Sequence, residues 1–220
     1  MKLLAYEKFD CIICLDSELP SLDVFQVLVD IPIFAADGAV FELNKMHLNI
    51  EAVIGDLDTF DRNIKKNTVS KIKKIRINEQ ETNDFEKTLK YVLSKNYKNC
   101  LILGINGGEL EHTLNNWSVY IKYSKLLNLC IYTKNRYGII LRENTELVLN
   151  KEEIVSLIPQ PEALITTNNL YWELTKEKLE LGVREGARNR ARDSKVLIEI
   201  YNGEVLCFFD ARLPNAPVLK

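Results

Sequence analysis

The chain has 220 residues, with 29 Lys and Arg against 31 Asp and Glu and a net charge of −2. That balance leaves no basic excess to neutralise nucleic-acid phosphates, so nucleic-acid binding is not expected. No apolar run is long enough to cross a bilayer, and MKLLAYEKFD has no long apolar core before its charges; a cytoplasmic protein with no membrane contact is expected.

Short apolar runs alternate with amphipathic segments through the first two thirds. CIICL predicts the first strand, followed by a helix over SLDVFQVLVD, and then PIFAA, EAVIG and KKIRI predict three more strands. NDFEKTLKYVLSKN predicts a helix with Phe85, Leu89, Val92 and Leu93 on one face. CLILGI is the next strand, and ELEHTLNNWSVYIKYSKLL a helix with an apolar stripe of Leu110, Leu114, Trp117 and Ile121. LCIYT closes the series. Strands alternating with helices imply an α/β fold, an N-terminal mainly parallel sheet flanked by helices.

The rhythm changes near Arg136. YGIILRENTELVLN reads as a hairpin about Arg-Glu-Asn, and YNGE marks a second hairpin inside SKVLIEIYNGEVLCFF. The last third is expected to be a C-terminal β-sandwich, giving domains of residues 1–136 and 137–220.

Cys11, Cys14, Cys100, Cys130 and Cys207 are odd in number and lie mostly in apolar runs, as reduced core thiols do. Cys11 and Cys14 form C-x-x-C, but inside a strand and with no second pair at metal spacing.

In an open α/β sheet, ligands bind beyond the carboxyl ends of the strands. Four polar loops fall there. Asp37 and Gly38 follow PIFAA, Gly55 to Thr59 follow AVI, Asn78 to Asp84 follow KKIRI, and Gly104 to Gly108 follow CLIL. Asp56, Asp58, Glu79, Glu81 and Asp84 supply oxygen ligands without a nearby Cys or His pair, which suits a hard ion such as Mg²⁺. Each has an alternative: Asp56 and Asp58 as turn residues, Glu79 and Glu81 as solvated groups, Asp84 as a helix-start residue. Gly107 and Gly108 open the way for an anion to reach backbone N–H groups, or simply form a tight strand–helix turn. Glu109, His112 and Asn116 share a helix face opposite the apolar stripe. His112 is either a structural hydrogen-bonding group or part of the site. Lys87 either reaches a phosphate or pairs with Asp84.

Asp37-Gly38, GDLDTF, EQETNDFEK and GINGGELEHTLNN resemble, in order and spacing, the motifs of the thiamine pyrophosphokinase family: a DG pair, GDxDS, DQxxTDxxK and GxxGGRxDHxLxN. SELP is similar to the family's first loop, and the likeness covers roughly residues 11–120. VSLIPQ, NNLYWEL and the segment around Asn189 resemble the family's β-sandwich more loosely.

The resemblance implies Mg²⁺-dependent transfer of a pyrophosphoryl group from ATP to thiamine, giving AMP and thiamine diphosphate. It implies Asp56, Asp58 and Asp84 as catalytic residues, with Asp56, Asp58, Glu81 and Asp84 on the metal. Asp37, Gly38, Thr59, Lys87, Gly107, Gly108, His112 and Asn116 would hold the nucleotide, and Gln80, Trp172 and Asn189 the acceptor. Trp172 has sandwich core as its alternative. The resemblance also implies a homodimer, with the thiamine site shared between chains. Three departures stand out: Glu109 for the family's arginine, Glu111 for its aspartate, and Glu79, Glu81 and Asn83 in the acidic segment. Within Arg184, Arg188, Arg190 and Arg192, one arginine would restore the charge lost at Glu109, or the segment is a solvated basic loop. Two further functions are open: a pyrophosphokinase with another alcohol acceptor, and a catalytically weak nucleotide- or thiamine-binding homologue.

Overall fold

The computed structural model describes residues 1–63 and 71–220. The chain forms two compact units, residues 8–133 and, separately, residues 1–7 with 134–220. The first seven residues therefore belong with the C-terminal unit rather than with the α/β domain expected over 1–136. The reason is backbone pairing: β1 (Lys2–Lys8) lies parallel to β9 (Thr145–Val148), Lys2 opposite Thr145.

In the α/β unit six strands lie side by side, all parallel. They are β2 (Cys11–Cys14), β3 (Ile33–Ala36), β4 (Ile50–Gly55), β5 (Lys74–Arg76), β6 (Asn99–Leu103) and β7 (Asn128–Thr133), in the order β7-β6-β2-β3-β4-β5. Every residue of β2 and β3 is buried, as expected for strands covered on both faces. The chain winds outward from β2 through β5 and then returns to place β6 on the other side of β2. That reversal is a topological switch point, where a crevice opens at the strand ends.

Cys11 and Cys14 sit within β2, and Cys11 opposes Cys100 of β6 with the two sulfurs 3.5 Å apart. All five thiols are free and buried, and burial pushes Cys14 well above the ordinary thiol value.

Among the described residues five helices connect these strands: α1 (Leu22–Val27), α2 (Ala39–Lys45), α3 (Asp58–Asn63), α4 (Asp84–Ser94) and α5 (Leu110–Tyr123). In α4, Phe85, Leu89 and Val92 are buried, whereas Leu93, at the edge of the stripe, is 37% exposed. α5 departs further from its pattern. Leu110 and Leu114 are 69% and 59% exposed, and Val119, Tyr120 and Tyr123 are the buried residues. Packing begins in the second half of this helix, where the Tyr120 hydroxyl donates to the Leu129 carbonyl at 3.0 Å. There too the buried Glu86 carboxylate accepts from Lys122 Nζ at 2.6 Å and from the Tyr123 hydroxyl at 3.0 Å. The first turns of α5 border a pocket instead.

The C-terminal unit is built on two long strands, β10 (Ile154–Asn168) and β13 (Lys195–Asp210), paired antiparallel. β11 (Glu177–Glu180) and β12 (Gly186–Arg190) add to β10. β14 (Asn215–Leu219) lies beside β1.

Neither expected hairpin forms. β8 (Arg136–Leu141) pairs with Val205–Asp210 and β9 with Lys195–Ile198, so both run along one edge of β13 instead of folding on each other. The Arg-Glu-Asn segment bridges them, and Asn144 Oδ1 accepts from the Ile200 N–H at 2.8 Å. β13 likewise continues straight through YNGE. Gly203 has φ +81°, and a Cβ there would stand 2.0 Å from the Glu162 carbonyl oxygen, so the glycine lets β10 approach rather than turning the chain.

No helix among the described residues is long and apolar enough to cross a membrane.

Candidate active site

At the carboxyl ends of β2, β3, β4 and β6 lies a cavity of about 520 Å³, within the usual range for small-molecule sites. Its lining includes Asp37, Gly38, Asp56, Thr59, Gln80, Glu81, Asp84, Lys87, Gly107, Gly108, His112 and Asn116. Of the residues expected in the α/β domain, Asp58 alone is outside it.

Three carboxylates form the centre. Asp37, Asp56 and Asp84 each place an oxygen within 4.8 Å of the others. Asp37 ends β3 in a left-handed conformation (φ +32°), and its two oxygens accept the N–H groups of Thr59 and Phe60 at 3.0 and 3.1 Å. It thereby holds the start of α3, which brings Thr59 to the cavity. Asp56 Oδ1 accepts from the Asp58 N–H at 3.2 Å, and Oδ2 from Gln80 Nε2 at 3.2 Å and Lys87 Nζ at 3.3 Å. Asp84 Oδ1 accepts from the Asp56 N–H at 3.3 Å and from Lys87 at 3.2 Å.

Gly55 is what allows this convergence. A Cβ at that position would sit 2.7 Å from Asp84 Oδ1 and 3.1 Å from Asp37 Cβ.

The carboxylate cluster differs from the metal set read from the sequence at three residues. Asp37, expected beside the nucleotide, joins the cluster. Asp58 lies outside both the cluster and the cavity lining, because the buried Leu57 takes φ +65° and the chain enters α3 with Asp58 as its first residue. Glu81 lines the cavity but is not in the cluster either. Its neighbour Glu79 holds the loop, accepting the N–H groups of Glu81 and Thr82 at 2.8 and 3.0 Å and the Thr82 hydroxyl.

Electrostatics separate the carboxylates. Burial raises Asp56, but the Asp58 N–H, Lys87 and Gln80 outweigh it and hold the group below the usual carboxylate value. For Asp84 burial prevails over Lys87, and the charges of Asp56 and Asp37 add to it, so this carboxyl titrates above its ordinary value. Lys87, 2% exposed, is raised because Asp84 and Asp56 outweigh the burial of its ammonium. Lys87 thus pairs with Asp84, one of its two alternatives, and also lines the cavity.

Asn83 is the N-cap of α4, its Oδ1 accepting the Glu86 N–H at 2.9 Å. Asp84 is thus the first helical residue, not the cap. On the opposite wall Glu109 precedes α5 and lies 3.5 Å from His112 Nε2, both side chains being largely exposed. Ser17 Oγ donates to the Asn106 carbonyl at 2.7 Å, tying the loop after β2 to the loop after β6.

Sequence reading missed Asp16, Ser17, Asn83 and Asn115, which also line the cavity. Asp16 and Ser17 directly follow a predicted strand, so the strand-end rule alone points to them.

In the C-terminal unit Trp172 and Asn189 share a hollow of about 140 Å³ with Leu157, Leu174 and Leu179. Trp172 is 65% exposed, which excludes the core alternative. Asn189 is buried and clamps the tryptophan backbone, accepting from the Trp172 N–H at 3.2 Å and donating to its carbonyl at 2.7 Å. Arg184 pairs with Glu177, and Arg190 lies 3.7 Å from Glu152.

A parallel α/β unit with an acidic strand-end crevice is followed in sequence by a strand-rich unit. Residues 29–131 match the family model described as "Thiamin pyrophosphokinase, catalytic domain". Thiamin pyrophosphokinase 1 of Caenorhabditis elegans is 23% identical over 181 residues, covering 75% of this chain and 73% of that protein. Thiamine pyrophosphokinase from Bacillus subtilis superposes with a TM-score of 0.74 at 17% identity, covering 92% of this chain and 100% of that one. Yeast thiamin pyrophosphokinase gives 0.74 at 15% identity, covering 93% and 86%. These two structures share the fold. Over residues 29–131 the chain is thus similar to the catalytic domain of thiamin pyrophosphokinases.

Proposed function

We propose that this protein transfers a pyrophosphoryl group from ATP to thiamine in a Mg²⁺-dependent reaction, releasing AMP. The convergence of Asp37, Asp56 and Asp84 within 4.8 Å, on the loops that follow β3, β4 and β5, carries this reading. The family supports the transfer and the two substrates.

The donor set suits Mg²⁺. Three carboxylates face a single ammonium, leaving net negative charge, and the oxygens are hard ligands. Asp37, Asp56 and Asp84 would hold the ion, which when bound would neutralise phosphate charge.

The chain's own groups do the remaining work. Lys87 fixes Asp56 and Asp84 against each other. Gln80 holds Asp56 from the cavity side. Gly107, Gly108, His112 and Asn116 receive the nucleotide. In the transfer the acceptor's hydroxyl oxygen bonds to the β-phosphorus, the bond from that phosphorus to the bridging oxygen on the α side breaks, and AMP departs with the electron pair. The hydroxyl proton passes to Asp84, which titrates above its ordinary value while Asp56 is held below its own.

Thiamine would contact Trp172. A hollow of about 140 Å³ is smaller than the roughly 300 Å³ at which small-molecule sites begin, so it needs a further wall, and a homodimer would supply it.

Glu109 favours a second reading, a weak or altered enzyme, since it sets a carboxylate rather than a cation on the phosphate side of the cavity. A product assay with ATP, Mg²⁺ and thiamine decides. AMP and thiamine diphosphate should rise together and only with Mg²⁺. Folded protein that makes no thiamine-dependent AMP would sink the assignment, and turnover with another alcohol would redirect it.

A further inference from the structure

Two polar residues, Asn83 and Asn116, are joined across the cavity wall. Asn83 Oδ1 accepts the Glu86 N–H at 2.9 Å, so the cap occupies the oxygen of its amide. Its Nδ2 donates to Asn116 Oδ1 at 3.0 Å, from the start of α4 to the middle of α5. An amide has one acceptor oxygen and one donor nitrogen. With Asn83 fixed by the cap, Asn116 must present its oxygen to Asn83, which leaves its NH₂ group as the free end. Both residues are half-buried and both line the cavity.

We propose that Asn83 is a positioning residue that sets the amide orientation of Asn116, so that this wall of the cavity presents a hydrogen-bond donor to an acceptor atom of the bound nucleotide. The inference rests on the cavity binding a nucleotide, as proposed above. It also gives the departure at Asn83 a consequence. A threonine hydroxyl can cap the helix equally well, but it is shorter than the amide and carries no NH₂ group. Asn83 performs both tasks with its two ends. Asp84 is the next residue, so a substitution that lost the cap would disturb the carboxylate cluster as well. One that kept the cap and lost the amide would disturb only Asn116.

That contrast gives the experiment. Asn83→Thr, Asn116→Ala and the double variant are compared with wild type in the full-length protein, by Mg²⁺·ATP titration calorimetry, steady-state kinetics and thermal melting. Asn83→Thr should leave the melting temperature and kcat close to wild type and raise the KM and Kd for ATP about 5-fold, the scale of one net hydrogen bond. Asn116→Ala should weaken ATP at least as much, and the double variant should be no worse than Asn116→Ala alone. An unchanged KM in Asn83→Thr, or effects that simply multiply in the double variant, would overturn the inference while leaving the nucleotide site standing. A fall in kcat with KM unchanged would do the same, since it would place Asn83's influence on Asp84. Wild-type protein that shows no saturable Mg²⁺·ATP binding would overturn the nucleotide reading, and the inference with it.

Discussion

In the α/β unit the polar side chains around the cavity hold one another: Lys87 bridges two carboxylates, Gln80 steadies one, and Asp37 fixes the start of a helix. In the strand-rich unit the arrangement is divided. Asn189 is buried and spends its amide on backbone, while Trp172, the residue it clamps, stands 65% exposed. The first region keeps charge close together at an electrostatic cost. The second keeps a flat aromatic face open. A coupled cluster should fail as a unit, whereas a clamp and its exposed ring should fail in different ways.

The sharpest break is at Asp84. Asp84→Asn removes the carboxylate proposed to take the acceptor's proton and leaves Lys87 with one anionic partner, while the Asn83 cap and the Asp84 backbone are unaffected. AMP formation should fall about 10²- to 10³-fold, the usual scale for loss of a proton acceptor, with little change in melting temperature. A loss below roughly threefold would move the base elsewhere and dissolve the idea that the cluster acts together.

The second region separates by variant. Asn189→Ala leaves the Trp172 N–H and carbonyl without their partner, and urea unfolding should show a loss of about 1–3 kcal/mol. Trp172→Ala should change stability by no more than about 0.5 kcal/mol, as for an exposed position, yet raise the KM for thiamine roughly 10-fold. Equal destabilisation by both variants would mean the ring is a packing element after all.

The same division explains what could be read from the residues alone. The α/β strands and the cavity were legible because each strand is a short local run and each site loop directly follows one, so the parallel topology brings the loops together without further information. That Asp58 lies outside the cavity lining was not legible, because the positive φ at Leu57 is not written in residue type; leucine rarely adopts it. The Leu110–Leu114 stripe was misread because periodicity shows which residues share a helix face, not whether anything covers it. In the C-terminal unit local patterns misled more often. Arg-Glu-Asn and Asn-Gly are good turn signals, but β13 is sixteen residues long and continues through one while bypassing the other. Pairing among Lys2, Thr145 and Ile198 depends on partners far apart in sequence, which no local window contains.

The smallest expected effect tests the polar core behind the cavity. Tyr123 donates to Glu86 Oε1, and burial, then the hydrogen bond and charge of Glu86, push its hydroxyl up to about 12 from an ordinary value near 10. The unfolded chain sheds this proton as pH rises through about 10, while the folded chain keeps it until about 12. In that window the unfolded state binds fewer protons, so stability must fall with rising pH, the contribution being complete below the unfolded value and gone above the folded one. Tyr123→Phe has no proton to lose, and Lys122 still pairs with Glu86 at 2.6 Å. Urea midpoints for the variant should therefore decline less steeply between pH 10 and 12 than those of wild type, though not stay flat, because burial also raises Tyr97 and the core thiols Cys14 and Cys207. Identical slopes would mean that Tyr123 ionises freely in the folded chain and that its bond to Glu86 does not hold the two helices together.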